Sequence, residues 1–300
     1  MNRMSFSEIR DAKVKEIEQI IMDYLPKQEG MQEKVIEAMH YSVMAGGKRL
    51  RPMLMKEAYT LFGGSGDKVT AFMAALEYIH NYSLVHDDLP AMDNDEYRRG
   101  RKTTHVVYGE DIAILAGDAL LNYAYETAAS AVVKYQGDMS VCKAFSILAQ
   151  KAGIFGMVGG QCVDVLNEDK QEDLTMKEIL FIHENKTAAL IECALMCGAV
   201  LAGANDEEVK QMEKVGSNIG LAFQIQDDIL DVTSTFEELG KPIGSDEKNS
   251  KTTYLSLTGM EKSKDEVKRL SDEAVGILQS MSNRNEFLEE LILSLISRRS

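Results

Sequence analysis

Residues 78–93 read YIHNYSLVHDDLPAMD, an apolar-rich run that ends in two adjacent aspartates, a proline and a third aspartate. The run predicts that Tyr78 to His86 is helical and that Asp87 and Asp88 complete this helix, because Pro90 cannot continue it. Beyond the proline the chain can fold back, so that Asp93 approaches the aspartate pair. The stretch therefore predicts a helix with an acidic site at its carboxyl end.

A second acidic stretch, QIQDDILD at residues 224–231, carries its polar side chains at helical intervals. Gln224, Asp227, Asp228 and Asp231 are separated by three, four and seven residues, which places them on one face of a helix. From Asp206 onward the apolar residues keep the same steps, which predicts one long helix with a buried stripe.

Carboxylates crowded in this way raise one another's pKa unless a counter-charge is present. Mg²⁺ suits such groups, since it takes one or two carboxylates and fills its other positions with water and phosphate oxygens. A solvated acidic turn is the alternative for either stretch alone, and two similar stretches make it less favoured. A calcium loop does not fit, because Arg98 stands where that loop requires glycine, and residues 227–231 form no loop.

Composition restricts the fold and the possible partners. The 300 residues are 45% hydrophobic and 27% charged, as in ordinary globular proteins, and the net charge of −15 argues against a nucleic-acid partner. Helical periodicity dominates, with capping-box patterns at Ser5 with Glu8, Thr175 with Glu178 and Ser263 with Glu266. We predict an all-α bundle of about ten helices in a single domain spanning residues 1–300.

The sequence also indicates where the protein is found. The first residues lack the layout of a signal peptide, and no uninterrupted apolar run approaches the roughly 20 residues of a membrane span. We expect a cytoplasmic protein without stable membrane association. Cys193 and Cys197, four residues apart on a predicted helix, are expected to be buried thiols in preference to a metal or redox pair.

Two dense basic stretches interrupt the acidic chain, GGKRLRP at residues 46–52 and RRGRK at residues 98–102. Each alone is typical of a solvated turn. Together with bound metal they are consistent with diphosphate clamps, because guanidinium groups bind phosphate oxygens bidentately and glycine permits close approach. Metal-bound phosphate beside a separate clamp indicates two diphosphate substrates.

These motifs, in this order, resemble those of the trans-isoprenyl diphosphate synthases. The first acidic stretch is similar to that family's first aspartate-rich motif in its bacterial form, and Asp227 to Asp231 is similar to the second. Further matches are the basic stretch at 46–52, residues 159–164, residues 185–187 and residues 240–242. The resemblance covers nearly the whole chain and is strongest to the bacterial farnesyl diphosphate synthases. It implies helices around a central active-site cavity, a polyprenyl synthetase domain and a homodimer.

The resemblance also implies a role for each matched residue. Three Mg²⁺ ions would be held by Asp87, Asp93 and Asp227, with Asp88 and Asp231 as further candidates, while Asp95 and Asp228 would orient neighbouring groups. The implied binding residues are, for isopentenyl diphosphate, Lys48, Arg51, His80 and Arg99, and for the allylic diphosphate, Arg98, Lys186, Thr187, Gln224 and Lys241. Lys186, Thr187 and Gln224 are also the implied catalytic residues. His86 and His183 are expected to be structural, and segment 233–252 is a candidate lid.

Product length is expected to depend on Tyr82 and Ser83, which lie about one helical turn before Asp87. A bulky Tyr82 predicts a short product, (2E,6E)-farnesyl diphosphate, formed from isopentenyl diphosphate with dimethylallyl and geranyl diphosphate. Geranyl and geranylgeranyl diphosphate remain alternatives. A class I terpene cyclase and a non-catalytic partner subunit are less favoured, since the second acidic stretch is all aspartate and the matched ligands are intact.

Overall fold

The computed structural model describes residues 4–168, 174–233 and 252–296. Within these ranges the chain is predominantly helical, and its two-residue strands β1 (Tyr97–Arg98) and β2 (Arg101–Lys102) pair antiparallel. The helices are α1 (Phe6–Tyr24), α2 (Glu33–Val43), α3 (Leu50–Leu61), α4 (Thr70–Asp87), α5 (Thr104–Tyr108), α6 (Glu110–Lys134), α7 (Met139–Ala152), α8 (Met157–Glu168), α9 (Met176–Ile182), α10 (Ala189–Leu201), α11 (Asp206–Thr233), α12 (Tyr254–Thr258), α13 (Met260–Ser280) and α14 (Glu286–Ile296).

The all-α prediction is confirmed. The described residues contain more helices than the expected ten, partly because α5, α9 and α12 are short pieces of five to seven residues. A π-helical turn, His183–Ala188, joins α9 to α10 without a loop. We refer to it as the π-turn.

Helices α4 and α10 form the centre of the core. Nearly every side of each is apolar and buried, which is the pattern of a helix surrounded by other helices. Helix α4 packs against α3 and α6, while α10 packs against α3, α7 and α11. The carboxyl end of α4, which carries the first acidic stretch, therefore starts from a rigid position.

Two of the three predicted capping boxes are confirmed, at Ser5 with Glu8 and at Thr175 with Glu178. The third is wrong: α13 begins at Met260, directly after Gly259 with φ of 83°, so Ser263 already lies in its first turn. There the Ser263 hydroxyl donates to the Gly259 carbonyl at 3.0 Å. A serine that bonds back to the preceding turn has the same sequence signature as a cap.

The long helix predicted from Asp206 is confirmed as α11. One stretch of the described residues, Met139–Asn167, has the length and composition of a membrane-crossing helix, with a mean hydropathy of 1.3. Turn residues 153–156 divide it into α7 and α8, and a core helix can pass the same test. The expected buried thiols are present, since Cys193 and Cys197 are both free and buried on α10.

Candidate active site

A cavity of about 750 Å³ lies beside the carboxyl end of α4 and is lined mainly by apolar surface. Its walls come from α3, α4, α6, α8, the turn after α4 and the π-turn, with Leu190 of α10. The lining includes the predicted site residues Arg51, His80, Tyr82, Ser83, Asp87, Lys186 and Thr187. One continuous space thus joins residues that lie more than 130 positions apart in the chain.

We call Asp87, Asp88 and Asp93 the acidic wall; of the three, Asp87 lines the cavity. The predicted fold-back is confirmed, because the backbone N–H of Asp93 donates to the Asp87 carbonyl at 2.8 Å. The Asp87 carboxylate accepts a hydrogen bond from the Gln161 amide at 2.9 Å. Burial raises the pKa of Asp87 to about 6; the positive charge of Lys186 opposes this shift, and Asp93 adds to it. The wall is therefore short of positive charge.

Asp88, in contrast, has a positively charged partner of its own. The residue is 4% exposed and its carboxylate binds Arg98 at 2.6 Å, while Arg98 also lies 3.6 Å from Asp95. Burial raises the pKa of Asp88, and the hydrogen bond from Arg98 partly offsets that shift. Arg98 is thus anchored to the acidic wall.

The acidic wall is chemically suited to Mg²⁺. Within residues 4–168, 174–233 and 252–296, no three His, Cys, Asp or Glu side chains are grouped to hold a metal by themselves. Mg²⁺ needs no such group, since it binds one or two carboxylates and completes its shell with water and substrate phosphate. A half-buried carboxylate with a raised pKa, such as Asp87, is the kind of ligand that a divalent cation would stabilise in its charged form.

The π-turn brings Lys186 and Thr187 to the opposite side of the cavity. Helices α8 and α11 hold it between them at two glycines. A Cβ at Gly160 would overlap the backbone of Lys186, and a Cβ at Gly220 would overlap Ala188. π-Turns inside helices are frequent at functional sites, yet nothing in the sequence around residue 186 predicted one.

Lys186 forms an ion pair with the buried carboxylate of Asp164 at 2.6 Å. Burial opposes the positive charge of Lys186, but Asp164 and, more weakly, Asp87 and Asp93 raise its pKa overall. Asp164 and Gln161 belong to a motif that was noticed in the sequence without a role being assigned. In the structure, α8 uses Gln161 to hold Asp87 and Asp164 to hold Lys186.

We call the predicted binding residues Lys48, Arg51, His80 and Arg99 the basic clamp; of these, Arg51 and Arg99 lie near His80. Arg99 lies over Gly47, where a Cβ would come within 2.8 Å of its guanidinium, and it donates to the Gly46 carbonyl. Burial lowers the pKa of His80 well below its usual range, and the charges of Arg51 and Arg99 lower it further. His80 is therefore a neutral group among cations. The buried Nε of Arg51 has no hydrogen-bond acceptor among the described residues.

Arg49, which lies between two clamp residues, points into the core. Its φ of 46° turns the chain at the start of α3, and its guanidinium binds Glu77 at 2.8 Å and the Val43 carbonyl at 2.8 Å. Both Arg49 and Glu77 are 2% exposed. The sequence motif gave no sign that one of its three cations anchors the loop that carries the others.

The second acidic stretch lies on α11, which packs against the π-turn. Gln224, Asp227, Asp228 and Asp231 are all half-buried, and Asp228 accepts a hydrogen bond from the Tyr254 backbone at 2.9 Å. None of the four lines the cavity formed by the described residues. Lys241 and most of the candidate lid, residues 234–251, lie outside the described residues.

The polyprenyl synthetase family model matches residues 32–292, which include every element of this site. The chain belongs to the polyprenyl synthetase family. The resemblance noted from its motifs is therefore confirmed, and family membership supports prenyltransferase activity.

Relatives of this polyprenyl synthetase differ in the product they are named for. A geranylgeranyl diphosphate synthase of Cyanophora paradoxa is 46% identical over 261 residues, which is 86% of each chain. A farnesyl diphosphate synthase of Micrococcus luteus is 42% identical, covering 91% of this chain and 92% of the relative. Similarity at this level supports the reaction class and leaves the product length open.

A solved structure of a Helicobacter pylori geranyltransferase, complexed with magnesium and isoprenyl diphosphate, has the same fold. It superposes with a TM-score of 0.81 at 30% identity and covers 99% of this chain and 98% of that one. Family members thus use Mg²⁺, in agreement with the chemistry of the acidic wall.

Proposed function

We propose that this polyprenyl synthetase condenses isopentenyl diphosphate head-to-tail with dimethylallyl and then geranyl diphosphate, giving (2E,6E)-farnesyl diphosphate. The supporting observation is one cavity lined by Asp87 of the acidic wall, by Lys186, by Arg51 and His80 of the basic clamp, and by apolar residues beside Tyr82. Such a cavity can hold two diphosphates and a hydrocarbon tail at once.

The allylic diphosphate binds between the acidic wall and the π-turn. Three Mg²⁺ ions held by Asp87, Asp93 and Asp227, with Asp88 and Asp231 as further candidates, would neutralise this diphosphate and make it a better leaving group. Lys186 binds the departing diphosphate from the opposite side, and Arg98 adds its charge next to Asp88. Lys241, outside the described residues, is a further candidate for this contact.

Departure of the diphosphate leaves an allylic cation, which the protein must stabilise and protect from water. The Thr187 hydroxyl and the Gln224 amide oxygen provide fixed dipoles for the positive charge. The apolar lining of the cavity excludes water, which would otherwise quench the cation to an alcohol.

Isopentenyl diphosphate binds in the basic clamp, where Lys48, Arg51 and Arg99 match its phosphate oxygens and neutral His80 donates a hydrogen bond. Its double bond then attacks the allylic cation, so that a carbon–carbon bond forms at the carbon from which the diphosphate has departed. The released diphosphate takes the proton that is lost, which restores a double bond and completes one condensation.

The experiment that tests this function is incubation with Mg²⁺, isopentenyl diphosphate and each allylic diphosphate in turn, followed by chromatography of the products. We expect condensation with dimethylallyl and geranyl diphosphate and accumulation of the C15 product. No diphosphate release with any allylic partner would contradict the proposal and favour a non-catalytic partner subunit. Diphosphate release from farnesyl diphosphate alone would favour a terpene cyclase.

Tyr82 is proposed to limit the product, with Ser83 beside it. The Tyr82 side chain is 7% exposed and lines the cavity one turn before Asp87. Tyr82→Ala should shift the products to longer chains, because removal of the ring opens space for the tail, whereas Tyr82→Phe should keep the original length. Unchanged chromatograms for Tyr82→Ala would refute this role. A C20 product from the native protein would instead match the name of the Cyanophora relative, and a C10 product would indicate geranyl diphosphate.

The active form is proposed to be a cytoplasmic homodimer without stable membrane association. Large apolar residues that a single chain leaves exposed lie on α6, in the turn before α8 and at the start of α8: Ile114, Leu115, Phe155 and Val158. A second copy that covers them would remove this surface from water. Light scattering during size-exclusion chromatography should give twice the chain mass of 33.3 kDa, and Leu115→Glu should reduce it to the monomer mass.

A further inference from the structure

His86 lines the cavity, although its sequence position beside the acidic pair gave it no predicted function. Its imidazole lies one helical turn beyond Tyr82, and the two rings meet edge to face with centroids 5.9 Å apart. The two aromatic rings therefore form one continuous part of the wall of the cavity.

Helix α6 holds the other side of the imidazole. The Nε2 of His86 donates to the Ile114 carbonyl at 3.2 Å, and the Asp118 carboxylate lies 3.8 Å from the same nitrogen. Gly117 provides the space, because a Cβ at that position would overlap the imidazole ring. Only glycine allows the ring to be drawn this far back against α6.

We propose that His86, seated against Gly117, is a specificity-determining residue that limits product length together with Tyr82. We call His86, Gly117 and the Ile114 carbonyl the His86 latch. The proposal rests on the proposed prenyltransferase function. It makes α6 contribute to the limit on product length, which was attributed above to α4 alone. The latch keeps the imidazole clear of the growing tail while the ring supports one side of Tyr82.

Substitutions on the two sides of the latch should have opposite effects. Gly117→Ala leaves no room against α6, so the imidazole must move into the cavity, and the ratio of the final product to its shorter precursor should fall about tenfold. His86→Ala removes the ring and the support of Tyr82, and products one isoprene unit longer should increase by a similar factor. Chromatography of products made under identical substrate concentrations measures both.

The double variant provides the decisive comparison. Once the imidazole is absent, a methyl group introduced at position 117 meets no ring, so Gly117→Ala combined with His86→Ala should give the same products as His86→Ala alone. An additive effect, or unchanged products in either single variant, overturns the proposal.

A matched glycine separates this effect from general damage to helix packing. Gly198 lies on α10, where a Cβ would overlap the backbone of Met55 on α3, away from the cavity lining. Gly198→Ala should lower the unfolding temperature and leave the product ratio unchanged. If it shifts the products as Gly117→Ala does, the role of the latch is refuted.

Thermal unfolding tests the latch without any enzyme assay. Gly117→Ala should lower the unfolding temperature when His86 is present and have little effect when residue 86 is alanine. Failure of this coupling refutes the latch itself. If the variants show this coupling but the native protein makes no prenyl product, the contact between His86 and Gly117 stands. The proposed function, and with it the limit on product length, is then refuted.

Discussion

The acidic wall and the basic clamp both crowd like charges around one cavity, yet they differ in the origin of the counter-charge. The clamp has a permanent one, since buried Glu77 binds Arg49 at 2.8 Å and its negative charge raises the pKa of Arg51 against the larger opposing effect of burial. In the wall, Lys186 and Arg98 offset burial only in part, and the pKa of Asp87 rises to about 6; in the clamp, burial likewise lowers the pKa of Arg51 to about 10.

This difference indicates how each region is completed. The counter-charge of the loop that carries Lys48 and Arg51 is part of the core, because Arg49 of that loop binds buried Glu77. In the proposed function, the acidic wall would be completed by Mg²⁺ from outside the chain.

The largest effect is expected from Asp87→Asn, which keeps the shape of the side chain and removes its charge. Turnover should fall by at least about 100-fold, since the variant loses a ligand to the Mg²⁺ that would neutralise the departing diphosphate. Steady-state diphosphate release at saturating Mg²⁺ measures this. Glu96→Gln, an exposed charge change in the same loop, should leave turnover near normal. Near-normal turnover in Asp87→Asn would falsify the role of the acidic wall.

Glu77→Gln tests the clamp's built-in counter-charge. Breaking a buried ion pair at one partner leaves an uncompensated charge, so the free energy of unfolding should fall by roughly 3 kcal/mol. Urea unfolding measures the loss. Glu18→Gln provides the comparison, because Glu18 contacts the same arginine at 3.3 Å but is 33% exposed, and its loss should cost less than about 1 kcal/mol. Equal losses of unfolding free energy in the two variants would show that burial of Glu77 does not strengthen its ion pair with Arg49.

The sequence predicted the parts of the fold that depend on local pattern. Helix α11 and the end of α4 follow from apolar spacing and Pro90, and the fold-back of Asp93 follows from the same proline. A turn was expected at residues 46–52, but its geometry was missed, because it depends on positive φ at Gly46, Gly47 and Arg49. Single-sequence periodicity carries no signal for such a turn.

The site was predictable to the extent that a family motif marks it. Motif matching named Lys186 and Arg51 but could not give the π-turn, the Lys186–Asp164 pair or the inward direction of Arg49. Each of these depends on tertiary contacts between elements far apart in the chain, such as Gly160 against Lys186. Spacing also could not show that His86 faces the cavity, since that depends on Gly117 of another helix.

The smallest effect is expected from Asp164→Asn, which removes the carboxylate that forms an ion pair with Lys186 of the π-turn. Asp164 raises the pKa of Lys186 against burial, so the lysine keeps its charge to a higher pH in the native protein than it would alone. Without Asp164 that pKa falls, and the alkaline limb of kcat/KM for the allylic diphosphate should move to lower pH.

At neutral pH the same change should lower kcat/KM by about fivefold, because the pair is partly exposed. The KM for isopentenyl diphosphate should not change, since the basic clamp has its own counter-charge. Glu184→Gln, an exposed carboxylate of the same π-turn, is the matched control and should leave the pH profile in place. If Asp164→Asn raised both KM values equally, the two regions would share their counter-charges, and the contrast between a wall completed by ligands and a clamp completed by the core would fail.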